Sequence, residues 1–423
     1  TKSRLPRGKK NVVIRSFMTH HQAMSFLSLS NLLLDAPMHK YFETEVHFQS
    51  AILLLQERIP RVSRFYSSKI HAFDINVIPN INQPSIRVFN TPHTNFPQVQ
   101  LLSNGRYSVM ITNAGGSYSK WKDIAVTRWQ EDTTCDNWGI YTFINDIDNN
   151  FIWSTAYQPT RQETDTYEVV FSLDRAEFRR RAYSLDTHTE IVVSPEDDIE
   201  LRRVHLTNRS RRRRRVKITS YAEVVLTSQN VDAAHPAFSN LFIQTEIADQ
   251  RNAIVCFRRP RHAHEQSPAM FHIMKVYHAQ TIQVTYETDR AKYIGRANSI
   301  HTPDAIYNQN KLSNTQGSVL DPIVSIQYYI ELEPQQTAVI DMVFGAGESK
   351  EICYSLVEKY QDKYIADRAF ELSWTHSQVV LRQINATEND AQLYTRLASA
   401  IIFTHSPLRV DPNIIVRNQK GQS

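Results

Sequence analysis

Val216, Ile218, Ser220, Ala222, Val224 and Leu226 alternate with Lys217, Thr219, Tyr221, Glu223 and Val225. A period of two is what a strand half buried in a sheet requires, because successive side chains leave the backbone on opposite faces. Similar short strand candidates recur at 167–171, 189–193, 253–257, 281–286, 323–332 and 338–344. No helical period separates them, so the expected architecture is not a series of βαβ units but two antiparallel sheets packed face to face over residues 98–347. Roughly 250 residues of such strands is large for a single sandwich.

On both flanks the period lengthens to that of a helix. Phe17, Met24, Leu27 and Leu34, then Ile52, Leu53, Leu54 and Ile59, recur at spacings near three, four and seven until Pro60, which predicts helices over 1–60. Beyond Gly347 the same spacing joins Ile352, Leu356, Val357 and Tyr360, then Phe370, Trp374, Leu381 and Ile384, then Leu393, Leu397, Ile401 and Ile402, predicting helices over 351–404. Between the first helices and the sandwich, Pro79, Pro84, Pro92 and Pro97 mark 61–97 as an extended linker. The fold class is therefore mainly β with flanking helices. With 423 residues the chain exceeds the roughly 250–300 at which a single core stops growing, so more than one packed unit is expected. Leu32, Leu33, Leu34, Leu53, Leu54 and Leu55 need cover, which the rest of the chain or a second copy, forming a homodimer, would supply.

Three cysteines, Cys135, Cys256 and Cys353, stand far apart without a CxxC pair, which argues against a zinc site or a disulfide framework and for a reducing compartment. The basic start Thr1-Lys2-Ser3-Arg4 is followed by no apolar signal-peptide core, and no stretch reaches the roughly 18 apolar residues of a membrane span. These features predict a soluble, cytoplasmic chain with no cofactor and no metal. The net charge of +5 is a small excess to which the run Arg211–Arg215 contributes much. That run, between strand candidates 204–206 and 216–226, is expected to form a hairpin tip facing water. The rival reading is a basic adaptor for nucleic acid or membrane; no nucleic-acid partner is expected.

Four other stretches carry possible chemistry. In Asn113-Ala114-Gly115-Gly116-Ser117-Tyr118-Ser119-Lys120-Trp121, the glycines permit close backbone approach while Tyr118 and Trp121 offer rings to a sugar; a plain hairpin turn reads equally well. It is not a nucleotide loop, lacking the Lys-Ser/Thr ending. Thr127-Arg128-Trp129-Gln130-Glu131-Asp132 gathers a cation, an indole and two carboxylates; Arg128, with nearby Asp123, suits binding, whereas Glu131 and Asp132 are solvated charge rather than a catalytic pair. Ser194-Pro195-Glu196-Asp197-Asp198-Ile199-Glu200 reads as a solvated acidic turn, with a calcium site as the alternative. His20 and His21, adjacent on a helix, point about 100° apart and cannot ligate one metal together, so buried, hydrogen-bonded packing is expected of them.

The stretches 13–25 and 54–60 resemble the end of the glucoamylase-like domain of cyclic β-1,2-glucan synthases. Ser103 to Trp121, Asp123 to Trp129, Ser194 to Asp198, His235 to Phe242 and Tyr286 to Arg290 resemble their C-terminal part, which is similar to glycoside hydrolase family 94 and cellobiose phosphorylase. The resemblance runs through essentially the whole chain. It implies a galactose mutarotase-like super-β-sandwich, a helical linker over 348–395 and, over 396–423, the start of an (α/α)6 barrel that carries the Asp general acid and most of the phosphate site. The expectation is that this Asp lies beyond Ser423, so that the chain holds no catalytic residue, lacks its barrel partner and is inactive alone; a stand-alone glycoside phosphorylase is the rival. Substrate-binding residues implied are Arg128, with Asn113, Tyr118 and Trp121 as neighbours, beside Asp123. The partners implied are a β-glucan oligosaccharide and inorganic phosphate, and, in the full-length protein, an association with the inner membrane.

Overall fold

A computed structural model describes residues 19–44, 86–260, 267–308 and 311–404. The chain divides into two units, Thr1–Asn80 and Ile81–Ser423. In the first, helices Thr19–Leu33 and Pro37–Thr44 match the helical period, and none of the residues of Thr19–Leu33 is buried. Leu32, Leu33 and Leu34 are exposed. So are His20 and His21, against the expectation of burial; the helix's apolar and polar residues are mixed around its circumference, so no face is dry enough to bury an imidazole. The expected helix around 52–59 lies outside the described residues.

Among the described residues of the second unit, two nine-stranded antiparallel sheets form a sandwich. The first runs, edge to edge, Arg87–Phe89, Thr166–Phe171, Ala176–Ala182, Leu185–Val193, Ile199–Asn208, Thr337–Gly347, Ala269–Tyr277, Ala253–Arg258, Ile243–Ala248. Its first strand lies within the stretch whose prolines predict a linker. Only three residues pair there, Arg87 with Phe171 through Phe89 with Val169, too few to display a period. The second sheet runs Gln280–Asp289, Pro322–Leu332, Arg214–Thr227, Ile124–Thr127, Ser117–Trp121, Tyr107–Thr112, Val99–Ser103, with Tyr141–Asp146 and then Phe151–Ser154 branching from Arg214–Thr227.

Arg214–Thr227, the strand with the clearest alternation, is the pivot of the second sheet. One edge pairs with Pro322–Leu332. The other pairs first with Tyr141–Asp146, over Val216 to Tyr221, and then, from Val224, with Ile124–Thr127, in a ladder whose register shifts between Val224 and Thr227. On that edge the pairing passes from one neighbour to the other across Ala222 and Glu223.

Inward residues of both sheets, among them Leu206, Ile340, Met342 and Phe344 from the first and Val216, Ile218, Val224 and Ile326 from the second, form one core. Full burial of such a side chain contributes roughly 1.5–3 kcal/mol. The first sheet is covered on its outer face too: Val192, Leu201, Phe271 and Val343 pack against Cys353, Val357, Tyr360 and Phe370 of helices Lys350–Lys359 and Lys363–Gln383. Burial on both faces turns alternation into nearly continuous apolar runs such as 338–344, which Asp341 alone interrupts.

The helices start where side chains cap them. Ser349 accepts from Ile352 N, Asp362 from Tyr364 N, and Thr387 with Asp390 forms a reciprocal capping box for Glu388–Ile402. That last helix docks on the sandwich through Phe403, which packs with Val99 and Met110, and through Ser399, whose hydroxyl accepts from Val99 N at 3.0 Å. Among the described residues no helix is long and apolar enough to cross a membrane.

Candidate functional site

The end of that helix, the hairpin Ser117–Trp121 with Ile124–Thr127, and the start of helix Gln229–Ala234 enclose a cleft of about 540 Å³. Tyr118, Asp123, Arg128, Trp129, Glu131 and Ile402 stand on its walls. Strand geometry decides which ring reaches it. Along Ser117–Trp121, Ser117, Ser119 and Trp121 are buried, while Tyr118 is half-buried and Lys120 exposed, so Tyr118 turns to the cleft and Trp121, three residues on, turns to the core. The Tyr118 ring meets the edge of Trp129 at 5.4 Å, and Trp129 meets Phe403 at 5.8 Å, a preferred geometry for aromatic pairs. Burial raises the pKa of the Tyr118 hydroxyl. Asp123 stands free at the rim, with Lys120 Nζ 3.9 Å away.

Arg128 is buried at the back. Its Nε and Nη2 donate to the two oxygens of Asp232 at 3.0 and 3.1 Å, Nη2 to Asn240 Oδ1 at 2.8 Å, and Nη1 to Glu223 Oε2 at 2.8 Å and Asp321 Oδ1 at 3.5 Å. Five donors meet five acceptors of the chain itself. Arg290 closes the network, donating to Glu223 at 2.7 Å and Asp321 at 3.4 Å, and Tyr221 donates to Glu223 at 2.9 Å. Burial opposes the Arg128 charge, but its hydrogen bond to Asp232 and the charges of Glu223, Asp232 and Asp321 outweigh it and raise its pKa. Burial, then Glu223, raises that of Asp321.

Of the five residues expected to bind substrate, Tyr118, Asp123 and Arg128 therefore share one cleft. Trp121 does not: it is 3% exposed and its Nε1 donates to Asp198 Oδ2 at 2.7 Å. Asn113 lines a neighbouring pocket of about 260 Å³, where its Oδ1 accepts from Gln98 N at 3.0 Å and its Nδ2 donates to Thr91 O at 3.3 Å. The glycines after it serve both readings of that stretch. Gly115 has φ +100°, and a Cβ on Gly116 would collide with the Asp136 carbonyl oxygen.

Trp129 lies in a stretch the sequence marks, yet nothing local singles it out. Glu223, Asp232, Asn240 and Asp321 come from a distant strand, two short helices and a loop; Asn240 and Arg290 fall within the resembling stretches, which was their signal.

The remaining charged motifs have structural partners. In the acidic turn, Glu196, which is exposed, pairs with Arg368 at 2.5 Å, Asp197 with Lys359 at 2.7 Å and Asp198 with Arg106 at 2.7 Å, so the turn is tied to two helices and a hairpin. The arginine run joins Ile199–Asn208 to Arg214–Thr227; Arg209 pairs with Asp186, Arg213 with Glu331, Arg214 with Asp146 and Arg215 with Asp148. Glu177, His188 and Glu190 come together as a metal-sized group, but each carboxylate already holds a guanidinium, Arg179 at 2.9 Å and Arg175 at 2.8 Å, which makes it an ion-pair ladder.

The sequence profile of the glycosyl hydrolase 94 supersandwich domain matches residues 82–363. The chain belongs to glycoside hydrolase family 94, and the two-sheet architecture is its supersandwich. The whole chain aligns with the cyclic beta-(1,2)-glucan synthase NdvB of Rhizobium meliloti (strain 1021) at 29% identity, spanning 15% of that protein's length. A solabiose phosphorylase of Paenibacillus borealis is 22% identical over 52% of this chain and 27% of its own. A crystal structure of a bacterial glucoamylase complexed with acarbose superposes with TM-score 0.38 and 9% identity, over 76% of this chain and 44% of that one. The family and the two curated relatives place the kinship with glycosyl-transfer enzymes, and the chain spans less than a third of the length of either relative.

Proposed function

We propose that this chain supplies carbohydrate-contacting and scaffold surface to a cyclic β-1,2-glucan synthase, with a β-glucan oligosaccharide held in the cleft of Tyr118, Trp129 and Asp123. The observation that carries the reading is the pairing of an aromatic wall with a carboxylate and an ammonium group at the rim. A pyranose presents an apolar face to a ring while its hydroxyls need both donors and acceptors. Arg128, whose donors are all engaged, acts by holding Asp232 and the back wall rather than by touching sugar.

The proton donor and the phosphate site belong to the longer protein. A general acid is a carboxyl whose pKa is pushed up by desolvation. On this cleft Asp123 and Glu131 are exposed and Asp232 is clamped by Arg128. Isothermal titration of the chain with β-1,2-gluco-oligosaccharides tests binding; Tyr118→Ala is expected to weaken it about 3- to 10-fold, the worth of an aromatic contact. With phosphate added, no glucose 1-phosphate should appear. Absence of binding, or turnover by the purified chain, overturns the reading.

A further inference from the structure

The neighbouring pocket of about 260 Å³ differs in its chemistry from the first. His93, Asn113, Asp136, Tyr157, Gln158 and Arg161 line it. The His93 and Tyr157 rings meet edge-on at 4.9 Å, and His93 Nε2 lies 3.3 Å from Glu163. The Asp136 carboxyl accepts from Thr112 Oγ1 and, at 3.4 Å, from Gln158 Nε2; burial raises its pKa. Arg161 turns Nη2 to Cys135 Sγ at 2.5 Å.

Donors and acceptors are mixed on this wall, and a carboxyl group sits among them. That composition disfavours a multiply charged anion such as phosphate, which would face Asp136, and suits a neutral polyol whose hydroxyls both donate and accept.

One loop contributes to both pockets. Glu131 lines the first and Thr133 the second, and two residues of chain span at most about 7 Å. The shared loop is held in place: Glu131 Oε1 accepts from Thr133 Oγ1 at 3.1 Å and from Thr404 N at 3.2 Å. Asp132 Oδ1 accepts from Thr134 N at 2.8 Å and Thr134 Oγ1 at 2.6 Å.

We infer that the pockets on either side of the 131–136 loop are successive contacts for a single neutral oligosaccharide, so that the site reads chain length and not one sugar ring. The inference rests on the carbohydrate role of the first cleft. Occupying two contacts with one ligand makes the second contact intramolecular, which raises affinity without any change at the first.

The test is titration calorimetry on the full chain with glucose, a β-1,2-linked disaccharide and longer linear β-1,2-gluco-oligosaccharides. The longer oligomers should bind at least about tenfold more tightly than the disaccharide. His93→Ala and Arg161→Ala, both at exposed positions, should remove that gain and leave disaccharide binding unchanged. Disaccharide binding with no gain on lengthening, or a gain that survives both substitutions, overturns this inference while leaving the first cleft intact. No binding at any length overturns the carbohydrate role as well.

Discussion

Arg128 and Asp232 meet end on, two nitrogens to two oxygens at 3.0 and 3.1 Å, with both side chains less than a tenth exposed. The pair ties the edge of the cleft's hairpin to helix Gln229–Ala234, and through Glu223 and Asp321 to the pivot strand and its neighbour. A lysine keeps the charge but loses the planar fork. Arg128→Lys should therefore leave acceptors of the network unmet and destabilise the sandwich by about 1–3 kcal/mol, read as a lower midpoint in urea unfolding. A change within measurement error would mean that the carboxylates find solvent.

Tyr118 and Trp121 separate binding from stability. Tyr118→Ala should weaken oligosaccharide binding and leave the unfolding midpoint nearly unchanged. Trp121→Phe removes the indole donor from Asp198 and should cost about 1–3 kcal/mol of stability, the penalty of an unmet polar group, without altering affinity in calorimetry. Equal effects of both substitutions on binding would contradict the assignment of opposite faces.

Much of this was legible in the sequence. The six short strand candidates all lie in strands of the sandwich, because half-buried and fully buried strands both leave apolar marks within five or six residues. The three helices after Gly347 followed from their period and begin at side-chain caps. Arg87–Phe89 was not legible: a three-residue edge strand carries no period. At the site, Tyr118, Asp123 and Arg128 share a cleft because hairpin neighbours stay neighbours in space. Trp121 belongs elsewhere because an odd number of residues along a strand reverses the face. The partners of Arg128 lie more than ninety positions away in the chain, where no local pattern reaches.

Gly345, in strand Thr337–Gly347, lies between Ile199 on one neighbouring strand and Phe271 on the other. A Cβ there would lie 2.5 Å from Ile199 Cγ2 and from Phe271 Cε1, inside a rigid strand. Gly345→Ala should destabilise by about 1–3 kcal/mol, the usual cost of overpacking, measured by urea unfolding. A neutral or stabilising outcome would mean that Phe271 moves aside.

The Glu190 carboxylate is held low, to about 2, by its hydrogen bond with His205, the charge of His188 and the Arg175 guanidinium. Its folded pKa is depressed, so its contribution to stability is complete above the ordinary glutamate range near 4.5 and is lost as pH falls from there towards about 2. Glu190→Gln should flatten this part of the stability curve while lowering stability at neutral pH. A curve of unchanged steepness between those pH values would place the acid sensitivity elsewhere.

The central claim is that a glucan chain occupies the cleft beside Tyr118. Hydrogen–deuterium exchange of the full chain, with and without a long linear β-1,2-gluco-oligosaccharide, tests it most directly. The account predicts slowed exchange in peptides covering 117–131 and 228–234, extending to 133–136 and 157–161, with the 209–215 hairpin unaffected. Protection confined to that hairpin, or none anywhere at saturating ligand, would contradict it.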